Sequence, residues 1–222
     1  LAVPLAGLLA GLFALLIGAP VLRVRGPYFV ILTFGIAELV KFVIVNAEAS
    51  MGKASRLLFG TPDAADLSYV MLGLAVVATL LAWGVRRSRF GRGLIAIRED
   101  EEAAQTIGVP VVRYKTIAYA LSAVIPGMVG SLMVLRSTYF ETLQVFNPKV
   151  SLTIVAMAII GGSDDARGPL LGAAFLAALS ELLWANAPQV YMILLGFLLV
   201  GFVLFLPGGI VGSLGAYAGR KP

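Results

Sequence analysis

The chain has no cysteine and no histidine, and only 13% of its 222 residues carry charge. Without cysteine there is no disulfide framework, no thiolate nucleophile and no sulfur ligand for a metal. Without histidine, the side chain that most often serves as general base near neutral pH and as a nitrogen metal ligand is missing too. The scarcity of charge excludes a whole class of surface. Soluble domains carry about 25% charged residues because most of their exterior meets water. What is present instead is apolar: 59% of the residues are hydrophobic, and the mean hydropathy is +0.95. Such a chain is covered by lipid, where every backbone polar group must be satisfied internally and helices are the simplest spanning solution.

Apolar stretches approaching the roughly 20 residues that cross a bilayer run from Leu1 to Leu22, Pro27 to Ala47, Leu67 to Val85 and Lys115 to Leu135. A shorter one, Val150 to Gly162, is short, tilted or re-entrant. Two full-length stretches follow, Pro169 to Ala187 and Pro188 to Leu206. The expected architecture is therefore all-α, a polytopic transmembrane helix bundle of about seven spans, forming one membrane domain over residues 1–222. Proline and glycine punctuate these limits at Gly26-Pro27, Gly168-Pro169, Pro188 and Pro207-Gly208-Gly209. Small residues inside the spans let neighbouring backbones approach. Gly7 with Gly11, Gly127 with Gly130 and Gly172 with Ala173 are the expected points of close packing.

Orientation follows from the bias of Lys and Arg toward cytoplasmic loops. With the loop 86–115 inside, twelve of the seventeen basic residues are cytoplasmic, four are outside, and Lys41 lies within a span. The C-terminus is then expected in the cytoplasm. The same bias accounts for the net charge of +5, so nothing calls for a nucleic-acid partner.

The longest polar stretch between spans, Arg86 to Arg113, reads RRSRFGRGLIAIREDEEAAQTIGVPVVR. From Gly93 to Ile107 it holds good helix formers, Arg98 stands at helical spacing from Glu101 and Glu102, and Gly108 followed by Pro110 is a C-terminal stop. The expectation is one short cytoplasmic helix with apolar surface to dock. Glu102-Ala103-Ala104 followed by Gly108 is an EAA-x-x-x-G pattern. In chain order it accompanies RGPYFVILTFGIAE (Arg25 to Glu38), FGRGLIAIREDEEAAQTIGV (Phe90 to Val109), RYKTIAYALSAVIPGMVGSL (Arg113 to Leu132), and Ile160-Gly161-Gly162 with Gly168-Pro169-Leu170-Leu171-Gly172. Together these resemble the LivM-type permeases of bacterial branched-chain amino-acid ABC importers over most of the chain.

The resemblance implies a permease subunit that moves substrate by alternating access in the bacterial inner membrane. It implies a second, LivH-type permease subunit, two cytoplasmic ABC ATPases and an extracytoplasmic solute-binding protein as partners. It also implies that Arg98, Glu101, Glu102, Ala103, Ala104 and Gly108 form the element coupled to the ATPase. The family carries further N-terminal helices, so helices are expected upstream of Leu1. It also carries a glycine-rich stretch where this chain reads SMGKASRL, Ser50 to Leu57. The sequence holds no GxxxxGK[ST] phosphate loop. No cofactor is expected in this chain, with ATP and Mg on the partner ATPase. Urea and amide permeases share the scaffold, and an ion-coupled secondary transporter is the alternative from another class.

Tyr28, Thr33, Glu38 and Lys41 are the candidate translocation-path residues. Glu38 and Lys41 lie three apart within the second span, where ionisable groups usually face the bundle interior or a wet path. They are read either as a polar lining for a zwitterionic substrate or as a mutually neutralised structural pair. Thr116, Tyr119, Ser122, Ser151 and Thr153 are read first as interhelical glue, and Glu181 with Ser180 as structural. Asp164 and Asp165 are read as solvated turn residues, because two adjacent carboxylates alone do not make a metal site. No metal site and no catalytic cluster is expected.

Overall fold

The computed structural model describes residues 2–24, 26–52, 56–57, 63–137, 139–162, 167–186, 193, 196–197, 200–201 and 209–212. The chain forms two compact units, Leu1–Phe146 and Asn147–Pro222. The first contains α1 (Ala2–Val21), α2 (Pro27–Ser50), α3 (Ala64–Arg87), α4 (Arg89–Glu99), α5 (Glu101–Thr106), α6 (Val111–Arg136) and the one-turn α7 (Thr142–Val145). Two two-residue strands, β1 (Arg56–Leu57) and β2 (Tyr139–Phe140), pair antiparallel and join the α2–α3 connection to the segment after α6. The second unit contains α8 (Pro148–Gly161) and α9 (Arg167–Asn186).

Five segments of the described residues are long and apolar enough to cross a membrane: Ala2–Val21, Tyr28–Ser50, Ala65–Arg87, Val111–Arg136 and Thr142–Gly161. The all-α polytopic architecture expected from composition is thus observed. Helices α3 and α6 extend past their apolar limits because arginines continue them at the ends, Arg86 and Arg87 on α3 and Arg136 on α6. There they meet the unsatisfied terminal carbonyls favourably. The stretch expected to be short begins at Pro148. At 14 residues, α8 rises about 21 Å and falls short of the roughly 30 Å hydrocarbon core. It reaches 20 residues only when counted with α7 and the turn between them. The sixth expected span is α9, 20 residues long. The seventh, Pro188 to Leu206, lies mostly outside the described residues.

The first unit is organised around the antiparallel pair α1 and α6. Gly7, Gly11, Ala14, Gly18 and Val21 are buried on α1 at alternating spacings of four and three, a single helical stripe. Their missing side chains make room for α6: a Cβ on Gly11 would stand 2.8 Å from a Val124 methyl, and one on Gly127 would stand 2.5 Å from the Ala10 Cβ. Gly130, expected to share this role, has open space around it. Pro126 interrupts the α6 hydrogen-bond ladder beside this contact.

In the second unit, α8 and α9 approach at backbone distance through Gly161, Gly168 and Gly172. A Cβ on any of the three would overlap a carbonyl oxygen of the facing segment, those of Gly168, Gly162 and Met157 respectively. Ala156, Ile160 and Leu176 form the buried cluster alongside. The IGG and GPLLG signatures are therefore packing devices. Asp164 and Asp165, between them, lie outside the described residues.

Candidate functional site

The polar segment between α3 and α6 is built by local capping. Ser88 ends α3 and begins α4: its Oγ accepts from Gly91 N at 3.0 Å and donates to Val85 O at 2.6 Å. Gly91 is required here, since a Cβ would overlap Val85 O. Two residues on, a Cβ at Gly93 would overlap the Tyr114 ring, which also contacts Phe90 at 5.0 Å between centroids. The FGRG sequence thus folds α4 tightly under α3 and against α6.

The single helix expected from Gly93 to Ile107 is in fact two. Asp100 adopts extended backbone (φ −154°, ψ 116°), ends α4, and caps α5 by accepting from Glu102 N at 2.9 Å and Ala103 N at 3.0 Å. The reason is chemical: an Asp followed by two Glu is a helix start, combining a capping oxygen with acidic residues in the first turn. That local preference outweighs the continuity of helix formers around it.

The C-terminal stop is where the sequence placed it. Gly108 has φ +88°; its N–H bonds to Gln105 O and the Val109 N–H to Ala104 O, each at 3.0 Å. These are the paired bonds of a Schellman motif with glycine at the left-handed position. Val109 packs on the small core of Ile97, Ala104 and Val111 that fixes the segment to the start of α6.

This core divides the expected coupling residues into two faces. Ala104 is 1% exposed and points inward, whereas Ile107 is 73% exposed. Arg98, Glu102 and Ala103 are also exposed, as is Gly108. Glu101 turns the other way and forms an ion pair with Lys115 of α6 at 2.7 Å. That pair stands in the wall of an open cleft of about 670 Å³ bounded by Leu22, Val24 and Phe29 on the α1–α2 side and by Leu94, Tyr119 and Ser122.

The structure does not converge the four candidate path residues. Thr33 lines an apolar cavity of about 290 Å³ between α1, α2 and α6, with Phe13, Ile17, Ile36, Val40, Tyr119 and Phe146 among its walls. Its hydroxyl donates to the backbone carbonyls of Phe29 and Val30. Glu38 and Lys41 form an ion pair with each other, outside the cavity lining, and Tyr28 is 71% exposed. Ser122, Thr153 and Ser180 likewise donate to carbonyls of their own helices, as hydroxyls in apolar helices commonly do. Thr116 Oγ1 is buried and has no hydrogen-bond partner among the described residues.

Two residues were missed by sequence reasoning. Lys115 escaped because its partner is fourteen residues away and no helical period links them. Asp100 was legible as a capping residue, but the expectation of a single helix from Gly93 to Ile107 ran through it.

Several apolar spans joined by a capped, charged segment define an integral membrane protein. The chain belongs to the family of permease components of branched-chain amino acid transport systems, whose sequence model matches residues 1–203. Among curated proteins it is similar to the high-affinity branched-chain amino acid transport system permease protein LivM of Salmonella typhimurium, 28% identical over 94% of this chain and 56% of the relative. LivM of Escherichia coli is 29% identical over the same shares. The L-arabinose transport system permease protein AraH of E. coli is 33% identical over 39% of this chain and 26% of its own length. The chain thus spans about half the length of the curated LivM relatives it matches. No solved structure matches it.

Proposed function

We propose that this chain is a membrane-spanning subunit of an ATP-driven importer of branched-chain amino acids, working by alternating access between inward-open and outward-open states. The observation that carries this reading is the Ser88–Val111 segment. It is a pair of capped helices anchored to α6 from within, presenting Arg98, Glu102, Ala103 and Ile107 outward. The outward face of this short element, held from behind by the Ile97, Ala104 and Val111 core, is the surface that this reading gives to a protein partner. In this reading the partner is a cytoplasmic ATPase that supplies ATP and Mg, two copies serving this chain and a LivH-type permease subunit. A solute-binding protein delivers substrate from outside. The segment 86–113 and the C-terminus are cytoplasmic, in the bacterial inner membrane. The bias of Lys and Arg supports that orientation, and Trp83, which stacks on Arg87 at 4.0 Å at the end of α3, marks the membrane boundary there.

The test is reconstitution of the membrane complex that copurifies with the tagged permease, followed by uptake of radiolabelled leucine, isoleucine and valine with ATP inside. Uptake that leucine but neither arabinose nor urea competes away is the expected result; competition by arabinose would transfer the reading to the sugar-permease relatives. Topology has a separate check, because the described chain has no native cysteine. Ser88→Cys should resist an impermeant maleimide added to intact cells, and labelling from outside would invert the proposed orientation.

A further inference from the structure

The two neighbouring carboxylates Glu101 and Glu102 do different work. Glu102 is exposed, while Glu101 reaches back to Lys115, both side chains 27% exposed. Helix α5 has six residues, too few to persist without support. Its Asp100 cap and its glycine stop are internal to the segment, and they shape α5 without tying it to the membrane helices. Among the described contacts, two tie it to α6. Ala104 packs with Val111, and Glu101 bonds Lys115.

Val111 and Lys115 are one turn apart on the same face of α6, with Tyr114 between them holding α4. A single contact at Val111 would let α5 rock about that point. A second contact one turn further along fixes its angle. Glu101 also directly follows Asp100, the break between α4 and α5, so the ion pair braces the segment at the place where it would otherwise bend.

Resting on the reading of this segment as the ATPase-docking element, we infer that Glu101 and Lys115 form an internal strut. Lys115 is a positioning residue that transmits displacement of α5 into α6, and through the glycine seam into α1, while Glu101 itself does not contact the ATPase. An ion pair is suited to this task because it is directional and only half-buried, and the penalty of leaving one partner alone keeps it closed.

The experiment uses the full permease in its copurified complex, with Glu101→Gln, Lys115→Met, the charge swap Glu101→Lys with Lys115→Glu, and Glu102→Lys for contrast. Three quantities are read: membrane abundance, recovery of ATPase subunits, and leucine imported per ATP hydrolysed. Expected for Glu101→Gln and Lys115→Met is normal abundance and normal ATPase recovery, with import per ATP reduced about fivefold or more, the lower end of ordinary coupling between sites. The swap should restore import per ATP toward wild type. Glu102→Lys should instead lower ATPase recovery. Loss of ATPase recovery in Glu101→Gln would make Glu101 a surface contact and overturn the strut. Unchanged import per ATP in both single variants, or no recovery in the swap, would overturn it as well. If the wild-type permease itself recovers no ATPase, the importer reading fails, and the strut with it.

Discussion

Helices α1 and α2 are nearly indistinguishable in apolar character, yet α1 buries a stripe of residues and α2 buries none of its described residues. Both enter the membrane because both are apolar. Only α1 carries a stripe of Gly7, Gly11, Ala14 and Gly18, and only α1 lies against α6 closely enough for side chains to be excluded. Helix α2 carries bulky residues all round, and Ile31, Phe34, Leu39 and Phe42 are exposed. In lipid there is no hydrophobic force between helices, so close van der Waals packing at small residues decides which ones associate. Apolarity selects the solvent and the glycine stripe selects the neighbour. In this chain the stripe joins α1, α6 and, through Val111 and Tyr114, the α4–α5 segment into one mechanical body. Its end near the middle of the chain is the proposed docking surface.

The largest effect should come from breaking the stripe. Gly127→Leu would drive an isobutyl group into Ala10 and the Ala6 carbonyl oxygen, and overpacking of a tight core typically costs about 1–3 kcal/mol, more where backbone is the obstacle. The monodisperse membrane-extracted protein should be mostly lost, as read by fluorescence-detected size exclusion. Retention at wild-type levels would mean that α1 and α6 are not fixed by this seam.

Next in size is Gly108→Val, at the far end of the same body. No atom lies within 4 Å of a Cβ there, so the penalty is confined to the backbone at φ +88°, about 1–2 kcal/mol and more for a β-branched residue. Abundance should stay normal while ATPase recovery and leucine-stimulated ATP hydrolysis fall severalfold. Normal stimulation would remove the segment from coupling.

On α2 the effects should be smaller. Glu38→Gln keeps shape but leaves Lys41 without its carboxylate partner within the span. A severalfold fall in uptake at constant abundance is expected if the pair serves the path. Unchanged uptake would make it a structural lock. The smallest effect belongs to Gly35→Ala, where nothing lies within 4 Å. Abundance and uptake should match wild type, with thermal stability equal or slightly raised, since alanine favours the helix by about 0.5–1 kcal/mol over glycine. A defect there would reveal a close neighbour on α2 supplied by another subunit.

Much of this was legible in the residues. The fold class followed from the shortage of charge and the length of the apolar runs, because a helix must carry about 20 apolar residues to cross lipid whatever it packs against. The stop at Gly108 was legible for a similar reason, as the left-handed turn it makes is a property of the glycine backbone itself. Gly7 and Gly11 were legible as candidates, but Gly130 was equally plausible and has no neighbour, since spacing marks a small face without naming what will lie on it.

The sequence by itself determined which segments leave water and where helices begin and end, because hydration and backbone geometry are local. Only the tertiary structure decided that Ala104 faces inward and Glu102 outward, and that Glu101 finds Lys115 across a loop. Each of these depends on which surface α6 offers once it is folded, and that is fixed by contacts between residues that no local period relates.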